Sequence, residues 1–86
     1  MTTEEIRKLL EAGKLVIGHN ETVRSLERQE ANTVLIASNA PEVERKAVAD
    51  YAEMAGATVT ALDVNNQLLG TVCRKPFAIS FIAVRK

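Results

Sequence analysis

Between Gly18 and Arg28 the chain reads GHNETVRSLER, a stretch dense in groups that hydrogen-bond, placed where the spacing predicts the first turns of a helix. Asn20 and Arg24 are four residues apart and Glu21 and Arg24 are three apart, so a helix brings them onto one face. Backbone N–H groups at a helix start point outward and favour an anion such as phosphate. Arg24 adds a planar fork suited to phosphate or to a guanine edge. Asn20 offers a donor and an acceptor to a base. Glu21 is the odd member, because it repels phosphate. Its carboxylate makes sense as an acceptor for base N–H groups, such as the N1 and N2 donors of guanine. One carboxylate among donors reads as base recognition rather than charge coating. A plainer reading stands beside this one. Asn20 is then only an N-cap, Glu21 suits the helix N-terminus, and Glu21–Arg24 is a surface pair worth below about 1 kcal/mol. The residues by themselves leave both open.

A second patch is RKPF, Arg74 to Phe77, where two cations precede a proline and an aromatic. A loop phenylalanine stacks on an unpaired base with about 1–3 kcal/mol. Equally, Phe77 can pack into the core at the start of a strand. The two patches adjoin if the first and last strands are neighbours in the sheet.

Signatures of catalysis are missing. Neither G-x-x-x-x-G-K-[ST] nor G-x-G-x-x-G occurs, so Gly18 is not part of such a phosphate loop. One histidine, His19, and one cysteine, Cys73, do not build a usual zinc site, and no cofactor is expected. Cys73 reads as a small apolar core residue, and a single thiol forms no internal disulfide, which suits a reducing cytosol. The acid pairs Glu4–Glu5 and Glu42/Glu44 read as solvated helix faces. No nucleophile, base and orienting group form a set, so the expectation is a non-enzyme without a small-molecule substrate. An enzyme would need an unrecognised site around His19, which otherwise reads as a loop residue with RNA-backbone contact as a second option.

The 86 residues fit one domain, residues 1–86, since a second core would not fit. Nearly half are apolar, which places the chain among globular proteins. With Tyr51, Phe77 and Phe81 as the only aromatics, Val, Ile, Leu and Ala must build the core. No apolar run approaches the roughly 20 residues of a membrane span, and the charged start MTTEEIRKLLEAGK has no signal core. The expected location is the cytoplasm, with no membrane partner. Net charge is zero, which argues against binding nucleic acid by charge alone. The charges are nevertheless uneven, because Arg74, Lys75, Arg85 and Lys86 close the chain without an acid among them.

The elements that must position these residues follow from periodicity and punctuation. Thr2 and Glu5 have capping-box spacing, ahead of Ile6, Leu9 and Leu10 at helical spacing, and Gly13 ends that helix. Leu15 to Ile17 reads as a strand. Asn20 caps a second helix that ends near Glu30. Thr33 to Ser38 is a second strand, and Asn39-Ala40-Pro41 turns the chain into a third helix. Its expected buried stripe is Val43, Ala47, Val48, Tyr51, Met54 and Ala55, and Gly56 stops it. Thr58 to Leu62 is a third strand. Asn65 or Asn66 caps a short fourth helix, in which Gly70 marks close packing or an irregularity. Ala78 to Val84 is the last strand, apolar on both faces apart from Ser80. Strands buried on both faces need helices on both sides. The expected fold is α/β, a three-layer α/β/α sandwich around about four strands.

Two long motifs carry a resemblance that covers essentially the whole chain. GKLVIGHNETVRSLERQEANTVLIASNAP, Gly13 to Pro41, and NQLLGTVCRKPFAISFIAV, Asn66 to Val84, resemble the L-seven-Ae and L-thirty-e superfamily of small ribosomal and kink-turn RNA-binding proteins. The ASNAP turn and the CRKPF stretch resemble the L-thirty-e branch of the large subunit, and the N-E pair resembles the L-seven-Ae branch. The resemblance implies a mixed four-stranded sheet. It also implies binding to a kink-turn, a sharply bent RNA whose tandem sheared G·A pairs expose guanine edges. On that reading Asn20, Glu21 and Arg24 read the edges and Gly18 allows close backbone approach. Lys14 matches a basic position of the pattern, and Phe77 matches a loop aromatic that packs on RNA. His19, Arg74 and Lys75, read from the residues themselves, complete the expected RNA-binding set. The implied partners are large-subunit rRNA and neighbouring ribosomal proteins, on the cytoplasmic ribosome.

The chain departs from the pattern in places. Arg24 stands where many members have lysine, which keeps the charge and changes the geometry. A zero net charge contrasts with the basic character of many ribosomal members. The residues stop after the last strand, without the family's final helix, so one flank of the sheet is expected to be less covered, or covered by RNA or another protein. Two alternatives stay open: a kink-turn protein of another ribonucleoprotein, such as a guide-RNA particle or RNase P, and an interaction module of the same fold that binds no RNA.

Overall fold

A computed structural model describes residues 2–86. The elements are α1 (Thr3–Glu11), β1 (Leu15–Ile17), α2 (His19–Glu27), β2 (Ala31–Ile36), α3 (Glu42–Ala55), β3 (Thr58–Ala61), α4 (Asn66–Val72) and β4 (Phe81–Arg85). The four strands form one sheet in the order β1-β4-β2-β3. β4 runs antiparallel to both β1 and β2, and β3 runs parallel to β2 through the α3 crossover. The sheet is therefore mixed, as expected.

Alternation along the two central strands sorts the core. On β4, Phe81 and Ala83 point to one face, while Ile82 and Val84 point to the other. On β2, Val34 and Ile36 join Phe81, and Leu35 joins Ile82. The first face is covered by Val23 and Leu26 of α2 and by Val48, Tyr51, Ala52 and Ala55 of α3. The second is covered by Ile6, Leu9 and Leu10 of α1 and by Leu69 and Val72 of α4. Three layers result, with the central strands buried on both sides. No helix among the described residues is long and apolar enough to cross a membrane.

Several sequence expectations need correction. Asn20 does not cap α2. The cap position is Gly18, and Asn20 lies one residue inside the helix start. α2 ends at Glu27 rather than near Glu30, because Gln29 adopts a left-handed conformation and the Glu30 N–H donates back to Ser25 O at 2.9 Å. β2 starts at Ala31, which a bulge brings opposite Arg85, and stops at Ile36. Ala37 and Ser38 then donate to Ser80 O and Val64 O instead of continuing the ladder. β4 starts only at Phe81, because the Ile79 N–H is bound to Asn66 O at 2.9 Å. On α3, Val43 and Met54 are 83% and 75% exposed and leave the expected stripe, which keeps Val48, Tyr51 and Ala55 and gains Ala52.

Gly70 behaves as a close-packing glycine. A Cβ there would collide with the backbone carbonyl of Phe77. α4 and the loop after it approach at a distance only glycine permits.

Candidate nucleic-acid interface

β1 and β4 are neighbours, with Ile17 opposite Ile82, so the end of β1 and the start of β4 meet at one rim of the sheet. Gly18 makes the turn from β1 into α2 with φ 106° and ψ 155°. Only glycine holds that region of backbone space without strain. Its N–H donates to Phe81 O at 3.0 Å, and its carbonyl accepts from Thr22 N–H at 2.9 Å. The helix start is thereby tied to β4 on one side and to its own first turn on the other.

Three side chains leave that turn in different directions. His19 is half-buried as the first residue of α2, not a loop residue, and its ring meets Phe81 edge-on with centroids 5.4 Å apart. Its Nε2 is buried without a hydrogen-bond partner, and its Nδ1 lies 3.4 Å from Asn20 Oδ1. His19 thus packs on Phe81 while one ring nitrogen stays unpaired beside the cleft. Asn20 and Glu21 are exposed. Arg24, also exposed, donates through Nη1 to Glu21 Oε1 at 3.2 Å. The plain surface pair is therefore formed in the free protein. It is solvated and weak, below about 1 kcal/mol, so a base edge can displace it at little cost.

Across the rim lies the loop between α4 and β4. Phe77 is 57% exposed, so it is not a core residue. Lys75 and Phe77 share a cleft of about 480 Å³ with Gly18, His19, Ser80 and Phe81. Glu44 of α3 also lines this cleft and was not legible from sequence, since nothing in its local pattern points across the fold.

Two expected members stand apart. Lys14 precedes β1 and accepts the Arg85 N–H through its carbonyl at 2.8 Å. It sits at the opposite end of that strand from Gly18, about 13 Å away at the usual rise of a strand. Arg74 reaches Glu11 on α1 at 3.7 Å, so it leans to the other side of the loop from Lys75. The structure brings together Gly18, His19, Lys75 and Phe77 in one cleft, with Asn20, Glu21 and Arg24 on the adjoining helix face. Cys73 is buried, and burial raises its thiol pKa above the ordinary value against a weaker opposite pull from Lys75. A buried, protonated thiol of this kind is inert.

Fold and rim together define a three-layer α/β/α domain that offers hydrogen-bonding side chains and an exposed aromatic on one edge. The chain belongs to the ribosomal protein L7Ae/L30e/S12e/Gadd45 family, whose profile matches residues 2–86. It is similar to large ribosomal subunit protein eL30B of Schizosaccharomyces pombe, 35% identical over 87% of this chain and 64% of that protein. It is also similar to large ribosomal subunit protein eL30 of Methanopyrus kandleri, 32% identical over 93% of this chain and 73% of that protein. The chain thus spans just under two thirds of the first relative's length and nearly three quarters of the second's. Among solved structures, the Giardia lamblia 15.5kD RNA binding protein superposes with a TM-score of 0.78 at 18% identity, covering 94% of this chain and 68% of that one. This likeness shows the shared fold.

Proposed function

We propose that this chain is a non-enzymatic RNA-binding domain, residues 1–86, that serves the large ribosomal subunit in the cytoplasm and recognises a kink-turn. The observation that carries the reading is the shared rim. Exposed Asn20 and Glu21 at a helix start adjoin a cleft bounded by Lys75 and the exposed Phe77. Membership of a ribosomal protein family supports it, as do the names of the similar eL30 proteins.

In this reading the start of α2 enters the RNA groove. Asn20 and Glu21 read the guanine edges of sheared G·A pairs, Glu21 accepting from N1–H and N2–H. Arg24 and Lys75 hold phosphates, and Phe77 stacks on an unpaired base. Gly18 gives the backbone close approach. Lys14 and Arg74 reach only RNA that continues past the rim. The protein stabilises bent RNA because it binds the kinked state better than the open one.

The test is titration of a labelled kink-turn RNA beside a control in which Watson–Crick pairs replace the sheared G·A pairs. Wild type should bind the kink-turn selectively, and Glu21→Ala should lose most of that selectivity. Equal, weak binding to both RNAs sinks the proposal and leaves an interaction module of the same fold.

A further inference from the structure

We propose that Asn39 and Asn66 form a clamp that positions the Phe77 loop for RNA, with Gly70 supplying the space the loop needs. The proposal deepens the function above and rests on its reading of Phe77 as an RNA contact.

The geometry is a chain of hydrogen bonds running from the β2–α3 turn to the loop. Asn39 Oδ1 accepts the Asn66 N–H at 2.8 Å, and Asn39 Nδ2 donates to Asn66 Oδ1 at 3.1 Å. Asn39 thus engages Asn66 through both ends of its amide, at the backbone N–H and at the side-chain oxygen. Asn66 passes the connection on. Its carbonyl accepts the Ile79 N–H at 2.9 Å, and its Nδ2 donates to Ser80 Oγ at 3.5 Å. The loop therefore enters β4 already fastened to the first residue of α4. Its other end is fastened too, because the Lys75 N–H donates to Gly70 O at 2.9 Å. Between these two ties, the Phe77 carbonyl lies where a Cβ on residue 70 would stand.

Core packing anchors the loop's end at buried Ile79 but not its tip. Phe77 itself is exposed, so hydrophobic burial does not hold its ring in place. An exposed aromatic on a free loop samples many positions, and binding must then order it at an entropic cost. Polar ties to backbone on both flanks remove that cost before RNA arrives. Asn39 and Asn66 touch no RNA in this scheme. They act through the loop, as positioning residues.

The chain contains no tryptophan, so Phe77→Trp makes a single fluorescent reporter at the loop tip. Time-resolved anisotropy of the free protein reads the local motion of that indole on the nanosecond scale. In the Phe77→Trp background, Asn39→Ala and Gly70→Ala should each raise the amplitude of fast depolarisation about twofold. Asn39→Asp keeps the acceptor for the Asn66 N–H and should recover most of the order. Far-UV circular dichroism confirms that each variant is folded, and Asn39→Ser, too short to span both Asn66 groups, serves as the loosened variant if Asn39→Ala is not. With kink-turn RNA, Asn39→Ala should speed dissociation about tenfold, since a tenfold change equals about 1.4 kcal/mol and stacking of one base is worth that order. The dependence on salt should not change, because no phosphate contact is lost.

Unchanged motion of the indole in both folded variants overturns the clamp. Looser motion with unchanged dissociation overturns the positioning role and the RNA contact of Phe77, while discrimination against the control RNA still upholds Glu21. Failure of the wild type to bind the kink-turn removes the proposed function and with it the role of the clamp in RNA binding, and the anisotropy then decides only whether the loop is held.

Discussion

Gly18→Ala isolates the backbone device on which the rim depends. Gly18 sits at φ 106° and ψ 155°, and an added Cβ would meet no heavy atom within 4 Å. The substitution therefore brings no steric clash with the rest of the fold, and its whole effect is local strain. That region is essentially reserved for glycine, and holding another residue there costs about 1–3 kcal/mol. For a domain of this size each kcal/mol lowers Tm by about 4–8 °C, so a fall of about 5–20 °C is expected by circular dichroism. The strained variant can relax only by rotating residue 18. Rotation turns away the N–H that donates to Phe81 and the carbonyl that receives the Thr22 N–H. Asn20 and Glu21 would then swing relative to the Phe77 cleft, so kink-turn affinity should fall at temperatures where the variant is still folded. Gly13→Ala is the control. It also has positive φ and open space around its Cβ, but it lies at the end of α1, away from the rim. It should lower Tm by a comparable few degrees and leave affinity intact. A Gly18→Ala protein that melts within about 2 °C of wild type would refute the argument from backbone strain. One that melts lower yet binds RNA normally would detach the geometry of the turn from recognition.

Thr22 is fully buried on α2 with an unpartnered Oγ; Thr22→Val removes that orphan and should raise stability by about 1 kcal/mol in urea unfolding, with an unchanged slope. A loss of stability would mean that the hydroxyl has a partner. The buried Cys73 thiol is held above its ordinary pKa, so the folded chain keeps that proton more tightly than the unfolded chain. Its contribution is complete below about pH 8.5 and is lost as pH rises through the folded value; unfolding measured across the alkaline range should show this decline in wild type and lose that component in Cys73→Ala. Leu69→Ala should cost about 2–5 kcal/mol by opening a cavity in the core, whereas Val43→Ser and Met54→Ser should stay within about 0.5 kcal/mol. Parallel denaturation curves check all three.

What the sequence revealed and what it hid have physical causes. β1 was legible at Leu15–Ile17 because an apolar run lies between two glycines. The Thr2 cap was legible, and the fourth helix's cap was narrowed to Asn65 or Asn66, because capping is a local pattern over three residues; Thr2 and Asn65 accept the N–H groups. The stripe on α3 failed at its ends. At about 100° per residue, Val43 lies far around the helix from Val48, and so does Met54. An apolar residue type alone did not reveal that. Strand ends at β2 and β4 were hidden because non-local partners end them: Ser80 and Val64 for the one, Asn66 for the other. At the site, Asn20, Glu21 and Arg24 were legible as one helix face. Their adjacency to Lys75 and Phe77 required the pairing of β1 with β4, which no local pattern encodes. Nor did the sequence show how far Lys14 stands from Gly18. Lys14 is near Gly18 in sequence but at the far end of a strand, where sequence distance becomes spatial distance most directly.

The charge of the rim bears on how such a surface can be specific. The whole chain is neutral, and the cleft and adjoining helix face carry Arg24 and Lys75 alongside Glu21, Glu27 and Glu44. A surface of this composition gains little from counterion release, the term that drives sequence-independent binding to RNA. Under the proposed function, affinity must come from fixed donors, acceptors and a stacked ring. Those contacts are effective only when their geometry is set in advance. The structure has two devices of that kind, the glycine turn pinned to Phe81 and the loop pinned to Asn66 and Gly70. The Glu21–Arg24 pair is too exposed and weak to add a third. On the same proposal, neutrality also penalises the wrong partner. A continuous helix presents phosphates first, which Glu21 would repel, whereas sheared pairs present guanine N–H groups that Glu21 would accept. Under the proposed function, the feature that looks least suited to RNA, an acid on the rim, is the one that separates a kinked RNA from an ordinary one.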